Sequence, residues 1–241
     1  MTAPAPELAP PPAPPESARE VFGDRLPLLE SYCALLAGPG VERGLLGPRE
    51  APRLWERHLL NCVGVAALVE EGSTLLDLGS GAGLPGLVVA CARPDLTVVL
   101  AEPLLRRATF LTEAVEQLGL RTVVVRRARA EELAGLVEVD AVTARAVAPL
   151  DKLGRWSMPL LRRGGRLLAL KGTSAQEELD VAMTALRSAG AIAAEVVEVG
   201  EERLDTAARV VVVTRGDRPG PKPPKAARPA RSSRTPRRTP R

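Results

Sequence analysis

The sequence is short of the residues that hold metals and disulfides. Its 241 residues include three cysteines and one histidine. Cys33, Cys62 and Cys91 are isolated from one another and form no CxxC pair, so we expect no metal site, zinc in particular. A sparse and odd set of cysteines is typical of a reducing compartment, and we therefore expect a cytoplasmic protein.

Long apolar runs are also missing. No stretch approaches the roughly 20 apolar residues that a membrane-spanning helix needs, so we expect no membrane partner. Residues 1–15 are almost entirely proline and alanine, without the basic start and apolar core of a secretory signal. Such a segment buries too little apolar surface to offset its ordering entropy, and we expect it to be disordered.

An excess of positive charge is confined to one end of the chain. The net charge is +4, but residues 215–241 hold ten Lys or Arg against one Asp. That segment therefore carries about +9 and residues 1–214 about −5. Arg-rich, Pro-interrupted segments bind phosphate backbones without sequence preference; a disordered tail that only solvates the protein is the alternative. Residues 16–214 remain for a single domain with an ordinary core.

Between the two biased ends, apolar runs of strand length alternate with amphipathic helical stretches. Residues 16–70 predict a helical N-terminal extension, with helices over 16–37 and 51–70 and Pro27 near a helix start or a kink. Strands are predicted at 74–79, 97–102, 121–127, 139–145, 165–172, 192–200 and 208–215, the last two as a hairpin-like pair, with helices at 85–93, 104–119, 149–162 and 175–190. This alternation indicates an α/β fold with a mostly parallel sheet and helices on both faces.

The stretch LLDLGSGAGLPGLVVA, residues 75–90, follows the first predicted strand. From Gly81 it reads GxGxxG, the pattern of a dinucleotide-binding turn, and from Asp77 it reads DxGxGxG. Four glycines at this place predict a ligand at the next helix N-terminus, where free N–H groups point and a missing Cβ permits close approach. A tight turn without a ligand is the alternative. Asp77 would repel a pyrophosphate and attract a sulfonium, which favours S-adenosylmethionine over NAD.

Other polar residues follow the later strands. Glu102 ends the second strand, where an acid accepts hydrogen bonds from ribose hydroxyls; NAD enzymes use this position too, so it does not discriminate. Ala130 and Glu131 follow the third strand, and Arg145 ends the fourth. Because ligands of such sheets lie beyond the carboxyl ends of the strands, we expect these residues to share one site with the glycine loop.

Five segments occur in this order over residues 77–172: DLGSGAGLPG, AEPLLRRATFL, RARAEEL, TARAVAPL and LLALKG. Together they resemble the RsmG (GidB) family, bacterial methyltransferases that modify N7 of one guanine in the 530 loop of 16S rRNA (guanine 527 in the usual rRNA numbering). The resemblance covers about residues 20–214. It implies a class I S-adenosylmethionine-dependent methyltransferase fold, Rossmann-like with a seven-stranded sheet. It also implies S-adenosylmethionine as cofactor and 16S rRNA or the small ribosomal subunit as partner; we expect a monomer.

The resemblance and the loop together assign cofactor binding to Asp77, Gly79, Gly81, Gly83, Leu84, Glu102, Ala130, Glu131 and Arg145. Arg145 and Lys171, which match family positions, are also candidates for contact with the target base or RNA. Arg106 and Arg107 match a basic pair that opens a helix, where cations are unfavourable, and this suggests an anionic partner. In the upstream segment RHLLNC, Asn61 and Cys62 replace the family's Asp and Ser.

The chemistry implied by the resemblance needs little from the protein's acids and bases. Guanine N7 has a free lone pair, so orientation supplies much of the rate and we assign no catalytic residue. The sequence lacks a D/N-P-P-Y motif after the fourth strand, and none of its cysteines ends the fourth or fifth strand as a C5-methylating nucleophile does. The alternatives are a small-molecule methyltransferase, an NAD-dependent oxidoreductase and a non-catalytic RNA-binding protein. The scarcity of aromatic residues argues against the first alternative, Asp77 against the second and the intact glycine loop against the third.

Overall fold

A seven-stranded sheet forms the centre of the computed structural model, which describes residues 10–200 and 208–217. The strand order is β3-β2-β1-β4-β5-β7-β6. β7 pairs antiparallel with β5 and β6, and the other pairings are parallel. The predicted sheet and its terminal hairpin-like pair are confirmed. The strands are β1 Thr74–Leu78, β2 Thr97–Ala101, β3 Val123–Arg126, β4 Val139–Arg145, β5 Leu161–Lys171, β6 Ala191–Val199 and β7 Ala208–Arg215.

Helices cover both faces of the sheet. The α-helices are α1 Glu16–Phe22, α2 Leu26–Leu35, α3 Leu60–Val63, α4 Gly86–Ala92, α5 Leu105–Gln117, α6 Ala130–Leu133, α7 Leu150–Ser157 and α8 Ala175–Ala189. The helices predicted between the strands are present, and Gly190, with φ +109°, ends α8. The single-turn helix α6 was not predicted, because four residues are too few to show a helical period.

The N-terminal extension is helical but not regular, so the two uninterrupted helices predicted there are wrong in detail. A 3₁₀ turn separates α1 from α2, and Pro27 lies in the first turn of α2. The second predicted helix is split into 3₁₀, π and α turns over residues 48–68. Pro52 lacks an N–H and interrupts the regular pattern there. Gly64 lies so close to β6 that a Cβ would come 2.6 Å from the Val199 side chain.

The core has two layers, one on each face of the sheet. Successive strand residues point to opposite faces: Leu75 packs with the N-terminal helices, α4 and α5, whereas Leu76 packs with α7 and α8. Both leucines are fully buried. The strands are thus covered on both sides, which explains why they read as continuous apolar runs.

Parts of the predicted disordered ends lie outside the described residues, namely 1–9 and 218–241, and the domain boundaries stay predictions. Within the described part, the indole Nε1 of the buried Trp55 donates to the Pro12 carbonyl at 2.8 Å. Over the same residues, no helix is both long and apolar enough to cross a membrane. Nor do any three His, Cys, Asp or Glu side chains cluster there as a metal site.

Candidate active site

A cavity of about 670 Å³ opens at the carboxyl edge of the sheet. It lies at the end of β1, which has β2 as its neighbour on one side and β4 on the other. The strand order changes direction there, and ligands of such sheets bind at this switch point. Its volume suits a cofactor-sized molecule. Of the nine residues predicted to bind the cofactor, seven line it: Gly79, Gly81, Leu84, Glu102, Ala130, Glu131 and Arg145.

The glycine loop, residues 79–86, hydrogen-bonds mainly to the protein itself. The N–H groups of residues 79, 80, 81, 83, 84 and 86 all donate to protein acceptors. Those acceptors are the carbonyls of Ala101 and Ser80 and the carboxylates of Asp77 and Glu102. The N–H group of Gly86, at the start of α4, is therefore not free as expected of this helix N-terminus, because it donates to Asp77. A pyrophosphate would find few donors and two nearby carboxylates, which argues against a dinucleotide.

Three glycines of the loop adopt positive φ: Gly79 at +71°, Gly81 at +61° and Gly83 at +101°. Gly83 faces away from the cavity. A Cβ there would come 2.5 Å from Leu87 Cδ1 and 2.7 Å from the Tyr32 hydroxyl. The prediction that Gly83 lines the cofactor site is thus not met, because close packing beneath the loop is what requires this glycine.

Asp77 also lies beneath the loop and does not line the cavity. It is fully buried, and its Oδ2 accepts from Ser80 Oγ at 2.6 Å and from Gly86 N at 3.0 Å. Its Oδ1 has no hydrogen-bond partner among the described residues. Direct pairing of Asp77 with a cationic ligand is therefore not what the structure shows. The carboxylate instead ties the start of the loop to the start of α4.

Asp77 should make the free energy of unfolding pH-dependent, because burial raises the pKa of its carboxyl to about 6. The folded protein then holds this proton more tightly than the unfolded chain, so this contribution to stability is full at acid pH and is lost as pH rises toward 6. Asp77→Asn removes the titration. Between pH 4.5 and 7.5, urea unfolding should show the variant gaining about 2 kcal/mol relative to the parent. A difference that stays constant with pH would contradict this.

Glu102 occupies the predicted place at the end of β2, but both its oxygens already hold the backbone. Oε2 accepts from Gly81 N at 3.0 Å and Oε1 accepts from Leu104 N at 2.9 Å. The side chain is 2% exposed and borders the cavity. Each oxygen retains a second lone pair, so Glu102 can still accept from a hydroxyl while it shapes the loop.

Arg145 connects the sheet to the N-terminal layer across the cavity. Its Nη1 donates to Cys62 Sγ at 3.1 Å, and its Nη2 donates to His58 Nδ1 at 2.7 Å. Burial raises the pKa of the Cys62 thiol to about 11, so the sulfur is a neutral acceptor. Ala146, the next residue, has φ +54°, a strained conformation for a residue other than glycine, and it too lines the cavity.

Two of the basic residues singled out from the sequence lie outside the cavity wall. Lys171 is tied down by Glu178, whose Oε1 lies 2.7 Å from its Nζ, and it also donates to the Ala148 carbonyl. Its proposed contact with the base or RNA is therefore not supported. Arg107 lines the cavity 3.8 Å from Glu102, whereas Arg106 is exposed and does not.

Several lining residues were not predicted. They come chiefly from the N-terminal extension and from positions beside the recognised motifs, and they are Leu45, Leu46, His58, Leu78, Ser80, Ala82, Pro103, Leu104, Ala128, Arg129, Ala146, Val147 and Trp156. Trp156, on α7, is the largest side chain among them. His58 is the one histidine of the chain, which is a local signal, but its partner Arg145 lies 87 residues away.

The fold is that of the class I S-adenosylmethionine-dependent methyltransferases. The chain superposes on an S-adenosylmethionine-dependent O-methyltransferase from Thermotoga maritima with a TM-score of 0.54 at 20% identity, over 66% of this chain and 65% of the other. It matches a putative S-adenosylmethionine-dependent methyltransferase from Methanococcus maripaludis with a TM-score of 0.54 at 12% identity, over 78% and 94%. At such identities the likeness concerns the fold.

Sequence comparison identifies the particular family. The family model "GidB: rRNA small subunit methyltransferase G" matches residues 25–207. The ribosomal RNA small subunit methyltransferase G of Streptomyces avermitilis is 56% identical over 231 residues, 95% of this chain and 97% of the relative. That of Thermobifida fusca is 56% identical over 201 residues, 83% and 85%. The chain belongs to the rRNA small subunit methyltransferase G family, and the predicted resemblance is confirmed.

Proposed function

We propose that the protein transfers a methyl group from S-adenosylmethionine to N7 of a guanine in the 530 loop of 16S rRNA. The observation that carries this proposal is that the family match, residues 25–207, includes every residue of the cavity wall. The relatives named above are small-subunit rRNA methyltransferases. Because the target is ribosomal RNA, the proposal also places the protein in the cytoplasm.

The cavity fits S-adenosylmethionine by its donor set and by its shape. Glu102 offers acceptor lone pairs at the end of β2, and Ala130 and Glu131 form the wall beyond β3. Gly79 and Gly81 keep the loop surface free of side chains. When bound, S-adenosylmethionine supplies an electrophilic methyl group on sulfur. These residues would hold it, and the hydrogen bonds of Asp77 and Glu102 keep the loop rigid beneath it.

The polar groups around Arg145 suit a reaction that needs no general base. His58 is hydrogen-bonded on both ring nitrogens, and Glu102 on both oxygens, to protein partners. Both groups are thus engaged in holding protein partners. Guanine N7 already has its lone pair, so alignment with the methyl group is the main task of the enzyme.

Five arginines lie at the ends of β2 and β3, two of them, Arg107 and Arg129, in the cavity wall, and we infer that the group binds the rRNA backbone. Arg106 and Arg107 open α5, Arg126 is the last paired residue of β3, and Arg127 and Arg129 follow it. Apart from the 3.8 Å contact of Arg107, none of the five forms an ion pair within residues 10–200 and 208–217. Glu131 and Glu132 are the opposing charges on α6. Free guanidinium groups beside a cofactor site suit phosphates.

Removing two of these arginines should weaken RNA binding without affecting the cofactor. For Arg106→Ala/Arg127→Ala, the slope of log affinity for 16S rRNA against log salt should fall by about 2. The affinity for S-adenosylmethionine, measured by calorimetry, should stay unchanged. Arg187→Ala, at an exposed position of α8, is the matched control and should leave both values intact. Equal salt slopes in parent and double variant would exclude this surface.

The proposed function is tested by supplying labelled S-adenosylmethionine with small ribosomal subunits or 16S rRNA that lack the modification. Digestion to nucleosides should return the label as 7-methylguanosine. A small-molecule methyltransferase, the alternative, would transfer label in extracts freed of RNA and leave the rRNA unlabelled. Gel filtration of the purified protein tests the expected monomer. Label recovered on adenosine or cytidine, or none on RNA, would overturn the proposal.

A further inference from the structure

Arg145 is held from the side of the N-terminal layer by His58, which is itself held by Glu50. His58 lies on the π turn over residues 54–59 and is 6% exposed. Its Nδ1 accepts from Arg145 Nη2 at 2.7 Å, and its Nε2 lies 2.9 Å from Glu50 Oε2. Glu50 belongs to the 3₁₀ turn just before it. The three side chains form a continuous hydrogen-bonded row that ends at the cavity.

The row determines the protonation state of the imidazole. A guanidinium has donors and no acceptor, so His58 Nδ1 must be the unprotonated nitrogen. The ring proton then lies on Nε2, which donates it to the Glu50 carboxylate. Burial and the neighbouring Arg145 charge lower the pKa of His58 below its ordinary value, against a smaller raising effect of Glu50. The imidazole is therefore neutral at pH 7, as the row requires.

We propose that Glu50 and His58 are positioning residues that orient the Arg145 guanidinium toward the substrate, and that they do so only while His58 is neutral. This inference rests on the proposed function. Arg145 would be the group that touches the RNA, and His58 and Glu50 act through it. Cys62 holds the second arm of the same guanidinium at 3.1 Å.

The donors left over on Arg145 indicate what it contacts. Its hydrogen bonds engage Nη1 once and Nη2 twice, the second Nη2 contact being a long one of 3.5 Å to the Arg57 carbonyl. Nε–H and the other Nη1 hydrogen have no partner among the described residues. Two fixed donors at a cavity wall suit an oxygen acceptor, such as the guanine carbonyl or a phosphate. A base held through its carbonyl oxygen keeps N7 free for the methyl group.

Protonation of His58 would disrupt the row. Nδ1 would then become a donor facing the Nη2 donor at 2.7 Å, and two positive charges would adjoin. The charged groups that face the imidazole are Arg145 from β4, Glu50 from the preceding turn and Arg57 from its own turn. The single carboxylate of Glu50 is already outnumbered by the guanidinium groups of Arg145 and Arg57. It therefore cannot also neutralise a protonated imidazole. The guanidinium must then leave its position, so methyl transfer should fall as the pH drops through the pKa of His58.

The test is the pH profile of single-turnover methyl transfer to small-subunit RNA, from pH 5 to 8, at saturating cofactor and RNA. His58→Ala should lose transfer by about 100-fold at pH 7.5, since a displacement of about 1 Å at a reacting centre has that effect. His58→Asn keeps an acceptor near Nδ1 but cannot titrate. It should retain within about tenfold of the parent rate and show no decline toward pH 5.

Glu50→Gln gives a second, directional readout. The Glu50 carboxylate raises the pKa of His58, and a neutral amide retains the hydrogen-bond acceptor without the charge. The acid limb of the profile should therefore move to lower pH. Glu56→Gln changes an exposed acid on the same turn and should reproduce the parent profile. A role of Glu50 and His58 in folding alone would lower the rate without moving the limb.

The outcomes separate this inference from the proposed function. If the parent protein transfers no methyl to rRNA, the proposed function fails. If it does, but His58→Asn keeps the parent's acid limb or His58→Ala keeps the parent's rate, the positioning role is overturned. Asp77 titrates in the same range, so cofactor affinity is measured at each pH. Saturation with cofactor removes the effect of Asp77 on cofactor binding. Asp77 is common to the parent and His58→Asn, so a difference between their acid limbs reports on His58.

Discussion

Replacing Gly83 by alanine is expected to lower the affinity for S-adenosylmethionine by about 100-fold or more and to destabilise the fold by about 3 kcal/mol. The new Cβ would come 2.5 Å from Leu87 Cδ1 and 2.7 Å from the Tyr32 hydroxyl, at a φ of +101° that alanine rarely adopts. Tyr32 is fully buried and donates to the Ala82 carbonyl at 2.8 Å. The loop must therefore move, and the cofactor surface moves with it. Calorimetric titration and urea unfolding measure the two effects.

Gly164→Ala is the matched control for this substitution. Gly164 also has positive φ, +73°, but a Cβ there meets nothing within 4 Å, so the change introduces backbone strain without a clash. We expect a loss of about 1 kcal/mol in the free energy of unfolding. Its cofactor affinity should equal that of the parent. If Gly83→Ala bound S-adenosylmethionine as tightly as Gly164→Ala, the packing beneath the loop would not control the site.

Arg145→Ala should reduce methyl transfer to small-subunit RNA by about 100-fold or more while the protein stays folded. The guanidinium is the group that the N-terminal layer orients at the cavity wall, and alanine removes it altogether. Arg145→Lys should reduce methyl transfer by a similar factor. One ammonium group cannot reproduce the planar guanidinium, which donates to Cys62 and His58 together. Single-turnover rates measure the loss, and circular dichroism checks the fold.

Charge alone is thus expected to be insufficient at position 145. Recovery of the full rate in Arg145→Lys would show that a positive charge suffices and that the oriented guanidinium does not matter. Arg187→Ala removes an exposed arginine of α8 and should leave the rate unchanged. An Arg145→Ala rate within threefold of the parent would remove Arg145 from the account of substrate binding.

The sheet was largely predictable because its strands are apolar on both faces and are separated by helices of ordinary length. β4 and β7 have the predicted bounds, residues 139–145 and 208–215. The N-terminal extension was less predictable. Its prolines and its close packing against β6 impose 3₁₀ and π turns, which have no distinct sequence period.

The candidate site was predictable where a motif lies at the end of a strand, and not where tertiary packing decides. Glu102 and Arg145 stand where the strand pattern predicts. Asp77 and Gly83 belong to the same motif, yet they support the loop from below, because a periodic pattern does not tell which side of a turn faces the ligand. The pairing of His58 with Arg145 joins positions 87 residues apart, so no local pattern reveals it.

The central claim is that the methyl group goes to guanine N7 of the small-subunit rRNA. It is tested most directly with subunits whose rRNA carries 7-deazaguanine at the target position, where carbon replaces N7 and removes the lone pair while the remaining contacts persist. The account predicts one labelled methyl per subunit with the natural base and none with 7-deazaguanine, at equal RNA affinity. Transfer to the 7-deazaguanine subunits at the natural rate, or to neither, would contradict it.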